Sequence, residues 1–501
     1  MELFERIIFG FSVALLPINL LYGFVGTLLG TIIGVLPGLG PVATISILLP
    51  VTFALEPQQA MIMLAGIYYG AQYGGSTTAI LVNLPGESSS VVTCIDGYQM
   101  ARQGKAGLAL ATAALGSFFA GTCATLVIAA AAPQLAELAL EFGPADYFSL
   151  MIFGLVGAVI LARGSVVKAI GMILIGILLG TIGIDVNSSV PRFTFGIPQF
   201  GDGIEFAVVA MGLFGIGETI ANLGRGEASR DFVKDYRGLW PKWADLKAML
   251  PPSIRGTILG SALGILPCGG PILSSFSAYA LEKKIARDPN RFGQGAIEGV
   301  AGPESANNAA AQTSFIPMLT LGLPSNAVMA LMIGALMMHG LSAGPQLMNN
   351  KPDLFWGLIA SMWVGNLMLV VLNLPLVGIW ARFLTVPYRM LYPGIILICC
   401  IGVYSINSSA LDVVLACLFG LIGYVFNKLE CEPAPLLLGL ILGPLIEENM
   451  RRALLISKGN FETFVTRPIS LSFLILTAIL IVILAAPRLR STRERAFQEQ
   501  S

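Results

Sequence analysis

Gly26-Thr-Leu-Leu-Gly-Thr-Ile-Ile-Gly-Val-Leu-Pro-Gly-Leu-Gly-Pro41 decides how this chain is read, because it returns as Gly256-Thr-Ile-Leu-Gly-Ser-Ala-Leu-Gly-Ile-Leu-Pro-Cys-Gly-Gly-Pro271. Nine of the sixteen positions are identical at a constant offset of 230. Half a chain is the period expected of a duplicated transporter. A Leu-Pro signal follows in each copy, Leu84-Pro85-Gly86 and Leu323-Pro324-Ser325, and aligning the two needs a gap.

Within the repeat, Gly26, Gly30, Gly34 and Gly38 fall four apart, as do Gly256, Gly260 and Gly264. That spacing puts small residues on one helix face, where helices pack closely in lipid. The tips Pro37-Gly-Leu-Gly-Pro41 and Pro267-Cys-Gly-Gly-Pro271 cannot continue a helix. The apolar arms beside them are too short for two full spans and suit a re-entrant hairpin.

Composition agrees with a membrane chain. Of 501 residues, 55% are apolar and 12% charged, against roughly 25% charged in soluble domains, and the mean hydropathy is +0.80. Gly107–Pro133, Tyr147–Ala162 and Leu354–Ile379 are apolar over membrane-crossing lengths. The expected fold is an all-α polytopic membrane protein of about ten to twelve transmembrane helices. Two repeats, read as inverted with a parallel duplication as the alternative, organise it, each with a re-entrant hairpin and a broken helix. Residues 1–223 form the first repeat and 224–255 a cytoplasmic connection. Residues 256–487 form the second repeat and 488–501 a cytoplasmic tail.

Inversion is read from charge. No Lys or Arg lies between Arg6 and Arg102, whereas Arg255 and Lys283, Lys284, Arg287 and Arg291 flank the second hairpin. By the positive-inside rule the second hairpin opens to the cytoplasm and the first to the outside. Arg163, Lys168 and the run Arg488–Arg495 also read as cytoplasmic. The N-terminus is not a charged signal region. Zero net charge without a basic domain argues against nucleic acid. The seven cysteines have neither metal nor disulfide-framework spacing. His339 is the sole histidine and lies in an apolar run.

Polar chemistry gathers at the second breaks. The first copy has Ser76-Thr-Thr-Ala-Ile-Leu-Val-Asn-Leu-Pro-Gly-Glu-Ser-Ser-Ser90. The second has Pro303-Glu-Ser-Ala-Asn-Asn308 and then Thr320-Leu-Gly-Leu-Pro-Ser-Asn326. Broken helices offer N–H groups and a positive dipole end to a carboxylate, and carbonyl and hydroxyl oxygens to Na⁺. With no Lys or Arg in the first copy's core, the expected substrate-binding groups are neutral: Asn83, Ser88, Ser89, Ser90, Ser325 and Asn326. Na⁺ is expected near Gly38, Gly40, Gly269, Gly270 and Ser274. Glu87 and Glu304 are candidates for proton or sodium coupling, with helix capping or a solvent-facing position as the alternatives. No cofactor is expected beyond the coupling ion, Na⁺ or H⁺.

These segments resemble the large membrane subunit, or permease, of the tripartite tricarboxylate transporters. The resemblance rests on Gly34-Val-Leu-Pro-Gly-Leu-Gly-Pro41, Tyr68-Tyr-Gly-Ala-Gln-Tyr-Gly-Gly-Ser-Thr-Thr78, Asn83-Leu-Pro-Gly-Glu-Ser-Ser-Ser-Val-Val92, Asp96-Gly-Tyr98 and Ala101-Arg-Gln-Gly104. Glu298-Gly-Val-Ala-Gly-Pro-Glu-Ser-Ala-Asn-Asn308 and Leu319-Thr-Leu-Gly-Leu-Pro324 extend it through the second half. Cys268 departs from the small residue, such as glycine, expected at the second tip. The resemblance implies a carrier in the bacterial inner membrane, driven by a Na⁺ or H⁺ gradient without ATP. It implies two partners, a small four-helix membrane subunit and a soluble periplasmic solute-binding protein, and carboxylates such as citrate as substrates.

Rival classes find little support. Phe200-Gly-Asp-Gly203 lacks the Gly-x-Gly-Asp order of aspartyl intramembrane proteases, and no serine–histidine pair is evident. No phosphate-binding Gly-x-x-x-x-Gly-Lys-Ser/Thr loop exists for an ATP-driven pump. A carrier that works without a binding protein is the alternative. The external segment Asp185–Asp202 suits either docking or plain connection.

Overall fold

The computed structural model describes residues 3–36, 38–161, 165–185, 188–224, 233, 238–266, 270–384, 386 and 388–485. The tip residues Cys268 and Gly269, Arg163 and the basic tail lie outside them. The described chain is helical, and its strands are one two-residue pair, Gly183–Ile184 with Pro191–Arg192. Six described helices are long and apolar enough to cross a membrane, among them Ala101–Leu140, Pro352–Asn373 and Ala410–Lys428, and five shorter helices are apolar.

Two hairpins sit at the centre. The first joins Pro17–Gly34 to Pro41–Phe53, and the second joins Trp243–Ile265 to Gly270–Ile285. Trp243 already begins the second outgoing helix, within the segment expected as a cytoplasmic connection. Each return helix starts alike. Gly40 is the N-cap before Pro41, and its carbonyl accepts from Thr44 Oγ1 at 3.0 Å. The Gly270 carbonyl accepts from Ser274 Oγ at 2.8 Å.

Each hairpin lies on a core helix. The first core helix is Pro57–Val82; the second is Glu298–Thr313, continued after Ser314 by Phe315–Leu321. The glycine stripes make this contact. A Cβ at Gly26, Gly30 or Gly34 would overlap backbone of Met63, Ile67 or Ala71. A Cβ at Gly256, Gly260 or Gly264 would overlap backbone of Gly302, Ala306 or Ala310. The hairpin residues of the two sets differ by 230 and the core-helix residues by 239. The second copy therefore carries nine extra residues between hairpin and core helix, which is the gap the sequence required.

Both core helices end in a left-handed residue, Asn83 (φ 58°) and Gly322 (φ 69°), again 239 apart. Leu-Pro follows in each case and forbids helical continuation. Neither core helix is among the six apolar spans, yet Ala60–Val82 and Gly299–Thr320 are buried throughout. The core helices meet in opposite senses. Ser76 bonds Glu304, while Tyr69, two turns earlier, packs its ring 6.1 Å from Phe315, three turns later. Each return helix also packs on the other copy's segment after the break: Pro41–Phe53 on Ala327–Met338, and Gly270–Ile285 on Ser88–Ser90.

Two further ties connect the copies. Asp96 accepts from the backbone N–H groups of Gly293, Gly295 and Ala296 through one oxygen and from the Tyr279 hydroxyl at 3.0 Å through the other. At the surface, Arg451 reaches Asp185 at 3.0 Å and Arg192 reaches Glu447 at 2.8 Å, tying the segment after Val166–Gly180 to Ala434–Ile456.

Candidate functional site

The second core helix is polar for a buried element. Glu304 is 1% exposed, and Ser305, Asn307, Asn308 and Gln312 are buried with it. A helix like this survives in a membrane interior only when facing helices answer its polar groups. Glu304 Oε2 accepts from Ser76 Oγ at 2.9 Å, and Oε1 accepts from Thr93 Oγ1. Asn308 Nδ2 donates to Ser117 Oγ at 2.7 Å. Thr125 Oγ1 donates to Gln312 Oε1 at 2.6 Å. One turn from Glu304, Asn307 Nδ2 donates to Glu87 Oε1 at 3.1 Å.

Glu87 and Glu304 thus belong to one polar strip where the first break, the first core helix and the second core helix meet. Among the described residues no Lys, Arg or His lies within ion-pair distance of either carboxyl. Two polar atoms beside the strip are buried without a protein partner, Asn307 Oδ1 and Tyr73 Oη. Unanswered buried oxygens beside two carboxyls mark a place built for something besides protein.

The copies have diverged at this point. By the 239 offset, Ala65 stands opposite Glu304, Tyr68 opposite Asn307, Tyr69 opposite Asn308, Phe315 opposite Ser76, and Asn326 opposite Glu87. The mirror position is accordingly aromatic, with Tyr68, Tyr69 and Phe315 packed ring on ring at 5.6–6.4 Å. Duplication gave two equivalent places, and only one carries the carboxyls.

A small cavity opens beside Glu304. It measures about 10 Å³, room for about one water. Oxygen-bearing side chains of Tyr73, Ser76, Thr77, Ser117, Glu304 and Asn373 line it, closed on one side by apolar residues of Ala106–Leu140. Asn373 Nδ2 is held by the Leu369 carbonyl at 3.0 Å, and its Oδ1 has no protein partner.

The residues expected to bind substrate are distributed as follows. Ser88, Ser89 and Ser90 form one short 3₁₀ turn capped by Glu87. Ser90 Oγ donates to the Glu87 carbonyl at 2.9 Å, and the Ser89 side chain lies beside the Glu87 carboxyl. Asn83 is exposed and provides the left-handed turn. Asn326 is the N-cap of Ala327–Met338, its Oδ1 accepting from the Met329 N–H at 3.0 Å and its Nδ2 donating to Ser314 Oγ at 3.3 Å. Ser325 is buried beside the Ser314 carbonyl.

The residues expected to hold the ion divide differently. Gly38 has φ +82° and its carbonyl accepts from Asn222 Nδ2 at 3.1 Å. Gly40 packs against Gly86 and Glu87, so the first tip and first break touch. Gly270 lies near Asn326, which brings the second tip to the second break. The hydroxyl of Ser274 is engaged by its own helix. His339 ends Ala327–Met338, its ring 6.2 Å from Phe53. The sequence reading missed Thr93, Ser117, Asn222 and Asn373. A lone polar residue inside an apolar run was the available signal for Ser117 and Asn373.

The family model described as "Tripartite tricarboxylate transporter TctA family" matches residues 20–438. An uncharacterized 52.8 kDa protein of Agrobacterium vitis, from the TAR-I ttuC' 3' region, is 56% identical over 501 residues, all of both chains. An uncharacterized protein from the TAR-II ttuC' 3' region of Agrobacterium vitis is 55% identical over 240 residues, 48% of this chain and 99% of its own. No solved structure matches.

Proposed function

Because the chain belongs to the tripartite tricarboxylate transporter TctA family, we propose that it is the permease of an ion-driven importer of small di- and tricarboxylates such as citrate. It is a multi-pass membrane protein of a transporter family whose name declares three components. Our reading places it in the bacterial inner membrane. A soluble periplasmic binding protein delivers the carboxylate to it, and a small membrane subunit accompanies it. It acts as a carrier and not as an enzyme.

The observation that carries this reading is the buried polar strip of Glu87, Asn307, Glu304, Ser76 and Thr93 at the crossing of the two core helices. Polar and ionisable groups at such depth are costly and mark a transport path. We read the copies as inverted across the membrane. The opposite senses of the equivalent core helices support this, as does the lack of Lys and Arg between Arg6 and Arg102. Rocking of one copy against the other then opens the strip to each side in turn.

In this reading the carboxylate meets neutral donors around the first break, chiefly Ser88 and Ser89, with Asn326 fixing the start of the opposing half-helix. The N-terminal end of that helix favours negative charge. The coupling cation offsets the two carboxyls, which would otherwise repel the substrate.

Uptake of labelled citrate into proteoliposomes holding this chain and its small partner tests the reading, with and without binding protein, under an inward Na⁺ gradient. Uptake that requires both supports it. Uptake without the binding protein makes the chain a stand-alone carrier. Failure with citrate and with a panel of other carboxylates removes the proposal.

A further inference from the structure

We propose that the water-sized cavity beside Glu304 is a binding site for one Na⁺, the ion that drives the carrier of the preceding section, on which this inference rests. The site is separate from the hairpin tips and gives Glu304, a candidate for proton or sodium coupling by sequence, a defined set of partners around a cavity.

Four features of the cavity lead there. First, both oxygens of Glu304 accept hydroxyl hydrogen bonds, from Ser76 and from Thr93. Second, Glu304 at 1% exposure ionises only beside a positive partner, and among the described residues no Lys, Arg or His supplies one. Third, Tyr73 Oη and Asn373 Oδ1, on residues 4% and 5% exposed, line the same cavity and have no protein partner. Fourth, the remaining polar lining is hydroxyl, from Ser76, Thr77 and Ser117.

An all-oxygen cage with one carboxylate suits a hard cation of low charge. Among the described residues no cluster of three His, Cys, Asp or Glu side chains exists for a transition metal. A proton needs one carboxyl oxygen only, and the cavity would then be left to a neutral water between Tyr73 and Asn373, which binds no ²²Na⁺. The cavity's volume of about 10 Å³ fits an ion stripped of its water shell and excludes a hydrated one. The cage also couples the copies. Tyr73, Ser76 and Thr77 come from the first core helix, Glu304 from the second, and Asn373 from the end of Pro352–Asn373. Na⁺ there would hold together helices that rocking must separate.

The test is equilibrium binding of ²²Na⁺ to the purified full-length protein in detergent, with no carboxylate present. The expected result is saturable binding, displaced by unlabelled Na⁺ and Li⁺ and not by K⁺. Glu304→Gln abolishes it. Tyr73→Phe and Asn373→Leu each weaken it about 10-fold or more, the order seen when a supporting group leaves a metal site. Should Glu304→Gln fail to fold, those two variants carry the test, and unchanged affinity in both overturns the proposal. Wild-type binding in folded Glu304→Gln overturns it, and so does loss of binding in Thr44→Ala or Ser274→Ala with Glu304→Gln unaffected. No saturable ²²Na⁺ binding in the wild type overturns it as well. Because the assay contains no substrate, failed carboxylate uptake with intact ²²Na⁺ binding would remove the carrier reading and leave the site standing.

Discussion

The side-chain amide of Asn307 donates to Glu87 Oε1 at 3.1 Å across 220 residues of chain. One copy's break is thereby held by the other copy's core helix. A hydrogen bond contributes about 0.5–1.5 kcal/mol to a neutral group and about 1.5–3 kcal/mol to a charged one. Asn307→Ala is expected to slow carboxylate uptake by about 10-fold or more. Combining it with Glu87→Gln should cost less than the sum of the two single losses, because both changes break the same contact. Initial uptake rates of the two single variants and the double variant check this, and additive losses would refute the coupling.

Asn83 and Gly322 end the two core helices in the same left-handed turn. Asn83 is expected to serve through its backbone, not as a ligand. Asn83→Gly should then retain uptake and match or exceed wild-type stability, whereas Asn83→Ala should destabilise by about 1 kcal/mol. At Gly322 a Cβ would also meet the Ala343 carbonyl oxygen at 2.6 Å. Gly322→Ala should therefore be the more damaging change. Thermal unfolding in detergent ranks the three, and loss of uptake in a stable Asn83→Gly protein would return Asn83 to the binding site.

Asp96 holds three backbone N–H groups and the Tyr279 hydroxyl. Asp96→Asn replaces an acceptor oxygen with a donor and leaves backbone groups unanswered. The expected loss is about 3 kcal/mol. Tyr279→Phe removes one bond and should cost about 1 kcal/mol. Denaturant titration of the purified protein measures both, and equal effects would show that the backbone bonds carry no weight.

Gly30 and Gly260 occupy equivalent places, each against the carbonyl of its core helix, Ile67 and Ala306. Alanine at either should force the helices apart and destabilise by about 1–3 kcal/mol. The two losses should agree, since the contact is duplicated. Melting temperatures of Gly30→Ala and Gly260→Ala decide this; tolerance at one site alone would mean that the packing of the two copies is not equivalent.

The hairpin repeat was legible because both copies kept the same glycines, prolines and tips at one offset. The core-helix repeat was not, since nine residues intervene and the faces diverged from Ala65, Tyr68 and Tyr69 to Glu304, Asn307 and Asn308. Hydropathy also misled there. Glu298–Thr313 is too polar to read as membrane-buried, and only packing against Ser76, Thr93 and Ser117 shows why it can be. Glu87 and Glu304 stood out by sequence because a carboxyl between apolar runs is rare. Their hydrogen-bond partners did not, being 211–228 residues away. For Ser274 and Asn326 the residue type was suggestive, but their side chains bond locally, a choice that no spacing reveals.

The packing of each return helix on the other copy's post-break segment bears on how the protein is made. Ser88–Ser90 awaits Gly270–Ile285, and Glu87 awaits Asn307, until the ribosome has added about 180 to 220 residues more. At about 5–20 residues per second that delay is about 10–40 s. During it the first copy sits in the bilayer with a carboxyl and a serine turn facing lipid or translocon instead of their partners. Biogenesis therefore has a vulnerable interval in the first half of the chain, when insertion machinery or chaperones must hold a segment whose final neighbours do not yet exist.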